Sequence, residues 1–167
     1  MIERKFKGGI HMEITIRNAH ENDYNQVEAI MEQVQAMHTT WRPDIYKNVD
    51  VVLPFDMYMD HVAKNELIVA MTQEEKVVAI LIYMTLHISG GPMVDRKVMF
   101  IDSMAVDEKY RGKGIGRELF AFVRNICDEQ NYDGLELQVN AKNTAAKRMY
   151  EKYGFTEKSI NMELLKK

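Results

Sequence analysis

The sequence predicts an α/β domain built on a mixed central sheet, and three observations carry that prediction. Residues 66–106 hold three apolar, strand-like runs joined by two short turns, an antiparallel meander that rules against a purely parallel, doubly wound sheet. Before it, Tyr24, Val27, Ile30, Met31, Val34 and Met37 recur near the 3.6-residue period of an amphipathic helix. After it, the last strand of the meander runs through a glycine-rich loop into a further helix. At 167 residues the chain is long enough for one domain with a full core.

In chain order, Glu13–Arg17 alternates as a short strand with Ile14 and Ile16 on one face. The first helix follows Asn18–Asn22 and runs to about His38, where Thr39–Asp44 breaks it because Pro43 pushes Arg42 out of helical dihedrals. Pro54 suits the first turn of a second helix ending near Lys64. Glu66–Thr72 and Lys76–Ile88 are strands around a turn at Gln73–Glu75, and Ser89-Gly90-Gly91-Pro92 turns the chain into the strand Lys97–Val106. A helix over Gly114–Gln130, a strand over Leu135–Val139 and a helix over Thr144–Tyr153 follow, the last closed by Gly154. Phe155–Lys158 and Asn161–Leu165 read as two final short strands. The predicted order is βααβββαβαββ, seven strands in all. Residues 1–11 are charged rather than signal-like and precede a second methionine, Met12. They are expected to be a disordered leader or extension, with the domain spanning 12–167.

Composition excludes several function classes. A net charge of -3 and a pI near 6.0 speak against a general nucleic-acid surface. The single cysteine, Cys127, excludes an internal disulfide and a cysteine-based zinc cluster, and it shares a helical face with Leu119, Phe120, Val123 and Ile126, so it is expected in the core. No His, Asp and Glu set has metal-ligand spacing, so no metal is expected. No apolar run approaches the ~20 residues of a membrane span, which points to a cytoplasmic protein without a membrane partner. The thirteen methionines, Met31, Met37, Met57, Met59, Met71 and Met84 among them, mostly fall at apolar-periodic sites and read as flexible packing.

The chemistry concentrates in Lys97–Gly116. After the strand, Asp107–Tyr110 turns into Arg111-Gly112-Lys113-Gly114-Ile115-Gly116. Alternate glycines at a strand-to-helix junction let backbone approach a ligand without Cβ clashes, and the free N–H groups of the helix's first turn suit a phosphate. Arg111, Lys113 and Arg117 add positive charge there. A P-loop needs Ser or Thr after Gly-Lys, where this chain has Gly114; a dinucleotide fold needs G-x-G-x-x-G after an early strand. Neither fits.

The loop resembles the acyl-CoA pyrophosphate motif Arg/Gln-x-x-Gly-x-Gly/Ala of the GCN5-related N-acetyltransferase (GNAT) family, filled by Arg111, Gly114 and Gly116. A second stretch, Asn143 to Phe155, is similar to the family's Asn-x-x-Ala-x-x-x-Tyr-x-x-x-Gly-Phe segment, with Asn143, Ala146, Tyr150, Gly154 and Phe155 in register. The resemblance implies a single-domain GNAT-like fold, its sheet splayed between the fourth and fifth predicted strands, and acetyl-CoA as acyl donor. It implies that the backbone of Met104, Ala105 and Val106 pairs with the pantetheine arm, that Arg111, Gly112, Lys113, Gly114, Ile115, Gly116 and Arg117 bind the pyrophosphate, and that Asn143 also contacts the cofactor.

For transfer to an amine, the resemblance places Tyr150 as general acid to the departing thiolate, in keeping with a phenol that stays protonated at neutral pH. Asp102, an acid in an otherwise apolar strand and two residues from Met104, is the candidate to accept the amine's proton through water, with His38 and His87 as rivals. His38 and Trp41 before the second helix, and Tyr83 and His87 on the third predicted strand, are candidates for the acceptor pocket. The expected activity is acetyl transfer to a primary amine of a small molecule by direct attack in a ternary complex. A protein N-terminus or lysine is the alternative acceptor, and a CoA-binding sensor without turnover the alternative class. Homodimers are common in the family, often through the C-terminal strands.

Overall fold

Along Glu13–Asn18 fully buried residues alternate with half-buried ones, Ile14 at 2% and Ile16 at 0% exposure, as a strand with one face on a core requires. This computed structural model describes residues 3–7 and 13–165. The strands are β1 (Glu3–Lys7), β2 (Glu13–Asn18), β3 (Leu67–Thr72), β4 (Val77–Ile88), β5 (Arg96–Val106) and β6 (Gly134–Leu137). They form one mixed sheet in the order β1-β2-β3-β4-β5-β6, antiparallel except for the β5–β6 pair. β3 and the first half of β4 are nearly all Val, Ile, Leu, Ala and Met because both faces are covered, whereas β4 beyond Tyr83 is partly exposed.

Helix α1 (Tyr24–Trp41) runs three residues past the predicted end, and Arg42 leaves helical dihedrals ahead of Pro43 as anticipated. α2 (Phe55–Ala63) starts directly after Pro54. Val27, Ile30 and Tyr58 from these helices pack on Leu67, Val69, Ile80 and Ile82. α3 (Ile115–Glu129) buries Leu119, Phe120, Val123, Ile126 and Cys127, the face read from the sequence, together with Phe122, and burial pushes the Cys127 thiol upward in pKa. Below α1, Asp23 forms a two-pronged ion pair with Arg17; burial opposes its charge, yet the guanidinium and the His20 N–H hold the carboxyl below its ordinary range. Met31 and Met59 pack against the core and Met71 is buried, whereas Met57 is exposed.

Two expectations about the sheet change. Residues 3–7, placed in the leader, form β1 and pair with β2 in a five-residue register, because an edge strand needs backbone partners and tolerates charge; the other leader residues lie outside those described. The two strands predicted after Phe155 are irregular in the described residues, so six strands stand where seven were expected. Ile160, Met162 and Leu164 alternate as a strand would, but they are 71%, 89% and 99% exposed, and alternation without a buried face gives no drive to pair. The chain divides into two compact units, residues 1–137, which contain the whole sheet, and 138–167, which contain α4 (Thr144–Lys152). In the second unit Gly154, at φ +92°, closes α4 by donating to Glu151 O. Among the described residues no helix is long and apolar enough to cross a membrane.

Candidate active site

The site begins where β5 loses a neighbour. On one side β5 pairs with β4 as far as Ala79↔Val106, but on the other its register with β6 ends at Ile101↔Leu137. The Asp107 N–H donates to Val78 O at 2.9 Å. Backbone groups alternate sides along a strand, so Ala105 turns its N–H and C=O toward β4, while Met104 and Val106 turn theirs toward the side that β6 does not reach. That edge can accept an extended, amide-bearing ligand as an added strand. The Ala105 side chain packs against the core under α1, so its part in the site is to hold the strand.

Asp102 sits at the branch point. Ile82 is opposite Ser103 and Tyr83 is opposite Ile101, which leaves Asp102 as the extra, bulged residue of β5. The bulge interrupts the alternation that set Asp102 on the face of Met104. It also leaves the carboxylate exposed, accepting a long bond, 3.3 Å, from Ser103 Oγ. The burial that made an acid in an apolar strand unusual is therefore absent at that residue.

The loop beyond β5 is shaped by its glycines. Gly112 (φ +76°) and Gly114 (φ +83°) take left-handed conformations, and a Cβ built at either meets no atom within 4 Å, so each would project into open space beside the loop. Gly114 is the N-cap of α3, and the N–H groups of Ile115 and Gly116 are first-turn donors without intrahelical acceptors. Buried Ile115 anchors this turn in the core. Arg111, itself exposed, folds back on the end of β5, its Nε donating to Val106 O at 3.0 Å. Lys113 lies over the Tyr110 ring at 4.7 Å, with Lys76 over the same ring at 5.0 Å, and Arg117 is exposed beside Glu118. An anion bound at this turn would face first-turn N–H groups and the Lys113 and Arg117 side chains, with Arg111 engaged at Val106 O, so donor set and shape fit a pyrophosphate.

In the second unit, Asn143 caps α4: its Oδ1 accepts from the Ala146 N–H at 3.1 Å, which commits its carbonyl to the helix. Tyr150 packs edge-on against Phe155, ring centroids 5.8 Å apart, and burial raises its phenol pKa.

Of the acceptor-side candidates, His38 and Trp41 are brought together (6.1 Å between ring centroids) with Tyr46, 4.8 Å from His38, which sequence reading missed. Burial lowers the His38 pKa, favouring the neutral imidazole. Two candidates lie elsewhere. Tyr83 is 4% exposed, its hydroxyl donates to Asn65 O at 3.0 Å, and burial pushes its pKa up to about 12, so it is a core residue whose hydroxyl is used internally. His87 pairs with Lys97 at the opposite end of β5, five residues and roughly 16 Å of strand from Asp102. It lines an open depression with Ile88, Ser89, Asp95, Arg96, Lys97 and Asp133.

The α1–α2 connection is fixed from α1. Glu28 accepts the N–H groups of Val52 (2.6 Å) and Leu53 (2.9 Å), Tyr24 donates to Leu53 O, and Gln35 donates to Lys47 O at 2.7 Å. Residues of mixed polarity on a helix carry no motif, so no pattern in the chain signals these bonds.

A model of the acetyltransferase (GNAT) family matches residues 31–155. The [ribosomal protein bS18]-alanine N-acetyltransferase of Escherichia coli K12 is 34% identical over 68 residues, 41% of this chain and 45% of that protein, so the match spans less than half of that relative. Among solved structures, a tetramutant of the BH1408 protein from Bacillus halodurans is 30% identical with a TM-score of 0.86, covering 90% of this chain and 98% of that one. The glucosamine-6-phosphate N-acetyltransferase of Arabidopsis thaliana, 19% identical over 91% of this chain and 97% of its own, shares the fold with a TM-score of 0.67.

Proposed function

The chain belongs to the acetyltransferase (GNAT) family, N-acetyltransferases that use acetyl-CoA, and on that premise we propose that it acetylates the primary amine of a small molecule by direct attack in a ternary complex. The observation that carries this reading is the edge of β5 at Met104 and Val106, left unpaired by β6 and leading directly into the glycine loop. The Met104 and Val106 backbone would hold the pantetheine arm, and the Gly112–Gly116 N–H groups with Lys113 and Arg117 its pyrophosphate, while Arg111 braces the loop against the Val106 carbonyl. When bound, acetyl-CoA supplies an activated acyl thioester. Positioning it against the amine removes much of the entropic barrier.

The chain's own residues then handle protons. Asp102, exposed on its bulge and one methylene shorter than a glutamate, takes the ammonium proton through a water. Tyr150 keeps its proton on Oη at neutral pH, the more firmly because burial raises its pKa, and holds it for the departing sulfur. Asn143 orients the start of α4 next to its cofactor contact. His38, Trp41 and Tyr46 recognise the acceptor, and a neutral His38 is the alternative base. The exposed Ile160, Met162, Leu164 and Leu165 support a homodimer through the C-terminal segment, and a monomer in sedimentation at micromolar concentration would remove that part of the reading. A cytoplasmic location belongs to the same proposal.

A second acceptor class has one observation in its favour: the Escherichia coli relative acts on the alanine of a ribosomal protein. Thermal shift with acetyl-CoA, followed by free-thiol release across a panel of small amines and N-terminal peptides, separates the two. Thiol release with a small amine supports the proposal. Release with peptides alone moves the assignment to a protein N-terminus, and stabilisation without release anywhere in a broad panel contradicts both.

A further inference from the structure

Gln33, on α1 and outside both sequence motifs, uses both ends of its amide on the turn that feeds the glycine loop. Its Oε1 accepts the Glu108 N–H at 3.0 Å, and its Nε2 donates to Asp107 Oδ2 at 3.3 Å. The Glu108 N–H opens the 3-10 turn Glu108–Tyr110 and so has no acceptor within it. The next donor, Lys109 N–H, is taken by Asp107 Oδ1 at 2.9 Å, and Asp107 N–H by Val78 O. The start of this turn is thus held from β4, from Asp107 itself, and from Gln33. Downstream, the Arg111 Nε holds Val106 O, nothing packs where side chains at Gly112 and Gly114 would project, and the next buried anchor is Ile115. The pose of Arg111–Gly114 therefore depends on where its upstream end is fixed.

We propose that Gln33 is a positioning residue for acetyl-CoA: it holds the Asp107–Glu108 turn so that the glycine loop is already in its binding pose. This rests on the acetyl-CoA reading above. A loop ordered before binding has less conformational freedom to lose on binding, so freeing its upstream end weakens affinity without touching the ligand.

The molecule contains its own control. Gln26, seven residues earlier on α1, makes the same two-ended clamp on the β3–β4 turn, accepting the Val77 N–H at 2.9 Å and donating to Glu75 O at 3.3 Å. Losing either amide removes comparable bonds from the same helix, but only Gln33 bonds the Asp107–Glu108 turn directly, Gln26 reaching the loop no nearer than Lys76, whose ammonium lies over the Tyr110 ring. The chemistry also offers a rescue. Gln33→Glu still accepts the Glu108 N–H but turns a carboxylate on Asp107. With Asp107→Asn added, the new amide donates to the introduced carboxylate while its oxygen still caps Lys109.

The experiment is calorimetric titration of acetyl-CoA into wild type, Gln33→Ala, Gln26→Ala, Gln33→Glu and Gln33→Glu/Asp107→Asn, with the unfolding midpoint of each measured without ligand. The expected result is about tenfold weaker binding for Gln33→Ala, weaker still for Gln33→Glu, recovery in the double variant, and wild-type affinity for Gln26→Ala. Wild-type affinity in Gln33→Ala overturns the inference, as does equal weakening in Gln33→Ala and Gln26→Ala, which would mark a loss of stability only. Wild-type protein that fails to bind acetyl-CoA overturns the parent reading, and this one with it.

Discussion

The glycine loop at Arg111–Gly116 and the α1–α2 connection at Arg42–Pro54 are both irregular segments at helix ends, yet they are made of different material. The loop presents backbone: left-handed glycines, first-turn N–H groups, and the strand edge of Met104 and Val106 that leads into it. The connection, with the last turn of α1, presents side chains: the rings of His38 and Trp41 from the helix and of Tyr46, and exposed Ile45, Val49 and Val51. It is held by carboxylate and amide caps from Glu28 and Gln35. A backbone site suits a ligand that every member of a family shares, and a side-chain site suits one that differs between members. The contrast predicts that donor binding depends on conformation and that acceptor choice depends on composition.

The largest effect is expected at Gly114. Gly114→Val should abolish stabilisation by acetyl-CoA and also lower unfolding stability by about 1–2 kcal/mol, because a β-branched residue is strained at φ +83°. Chemical denaturation with and without acetyl-CoA checks both parts, and retained binding would break the claim that the loop works through its backbone. Next comes Tyr150→Phe, expected to lower turnover about a hundredfold with acetyl-CoA affinity unchanged, measured by thiol release alongside calorimetry; wild-type turnover would remove the acid role. Glu28→Ala leaves the Val52 and Leu53 N–H groups without their acceptor and should lower stability by about 1–2 kcal/mol. It should raise the acceptor's KM and spare the donor's, and a shift in both would show that the two segments are not separable. The smallest effect lies outside either segment. The Tyr83 phenol ionises near 10 when unfolded and about 12 when folded, so it stabilises the fold fully below pH 10. That contribution, on the order of 2–3 kcal/mol, is lost as pH rises through 12. Tyr83→Phe should flatten this part of the stability profile.

The same contrast explains what could be read in the sequence. The conformation of the glycine loop was legible because backbone chemistry restricts residue type: left-handed φ at Gly112 and Gly114 leaves few options besides glycine. The Pro43 and Gly154 boundaries were legible for the same reason, whereas the meander and the α3 face were legible from apolar runs and their spacing. Tyr83 misled because an aromatic on a strand looks alike whether it faces a pocket or the core. Asp102 misled in part because a bulge, invisible to a period-two pattern, exposes it. The predicted tail strands have no buried face, since Met162, Leu164 and Leu165 are all exposed. Gln26, Glu28, Gln33 and Gln35 could not be found at all, since an amide that clamps a distant turn and one that faces water are the same letter. Only the seven-residue spacing of Gln26 and Gln33, two turns apart on one helical face, hints at a shared role.

The most direct test of the donor site is amide hydrogen exchange, residue by residue, with and without saturating acetyl-CoA. The account predicts new protection at Met104 and Val106 and at Gly114–Gly116. Ala105, whose N–H already faces β4, should change little. Unchanged exchange at Met104 and Val106 would contradict the added-strand mode of binding, whatever the affinity measured by other means.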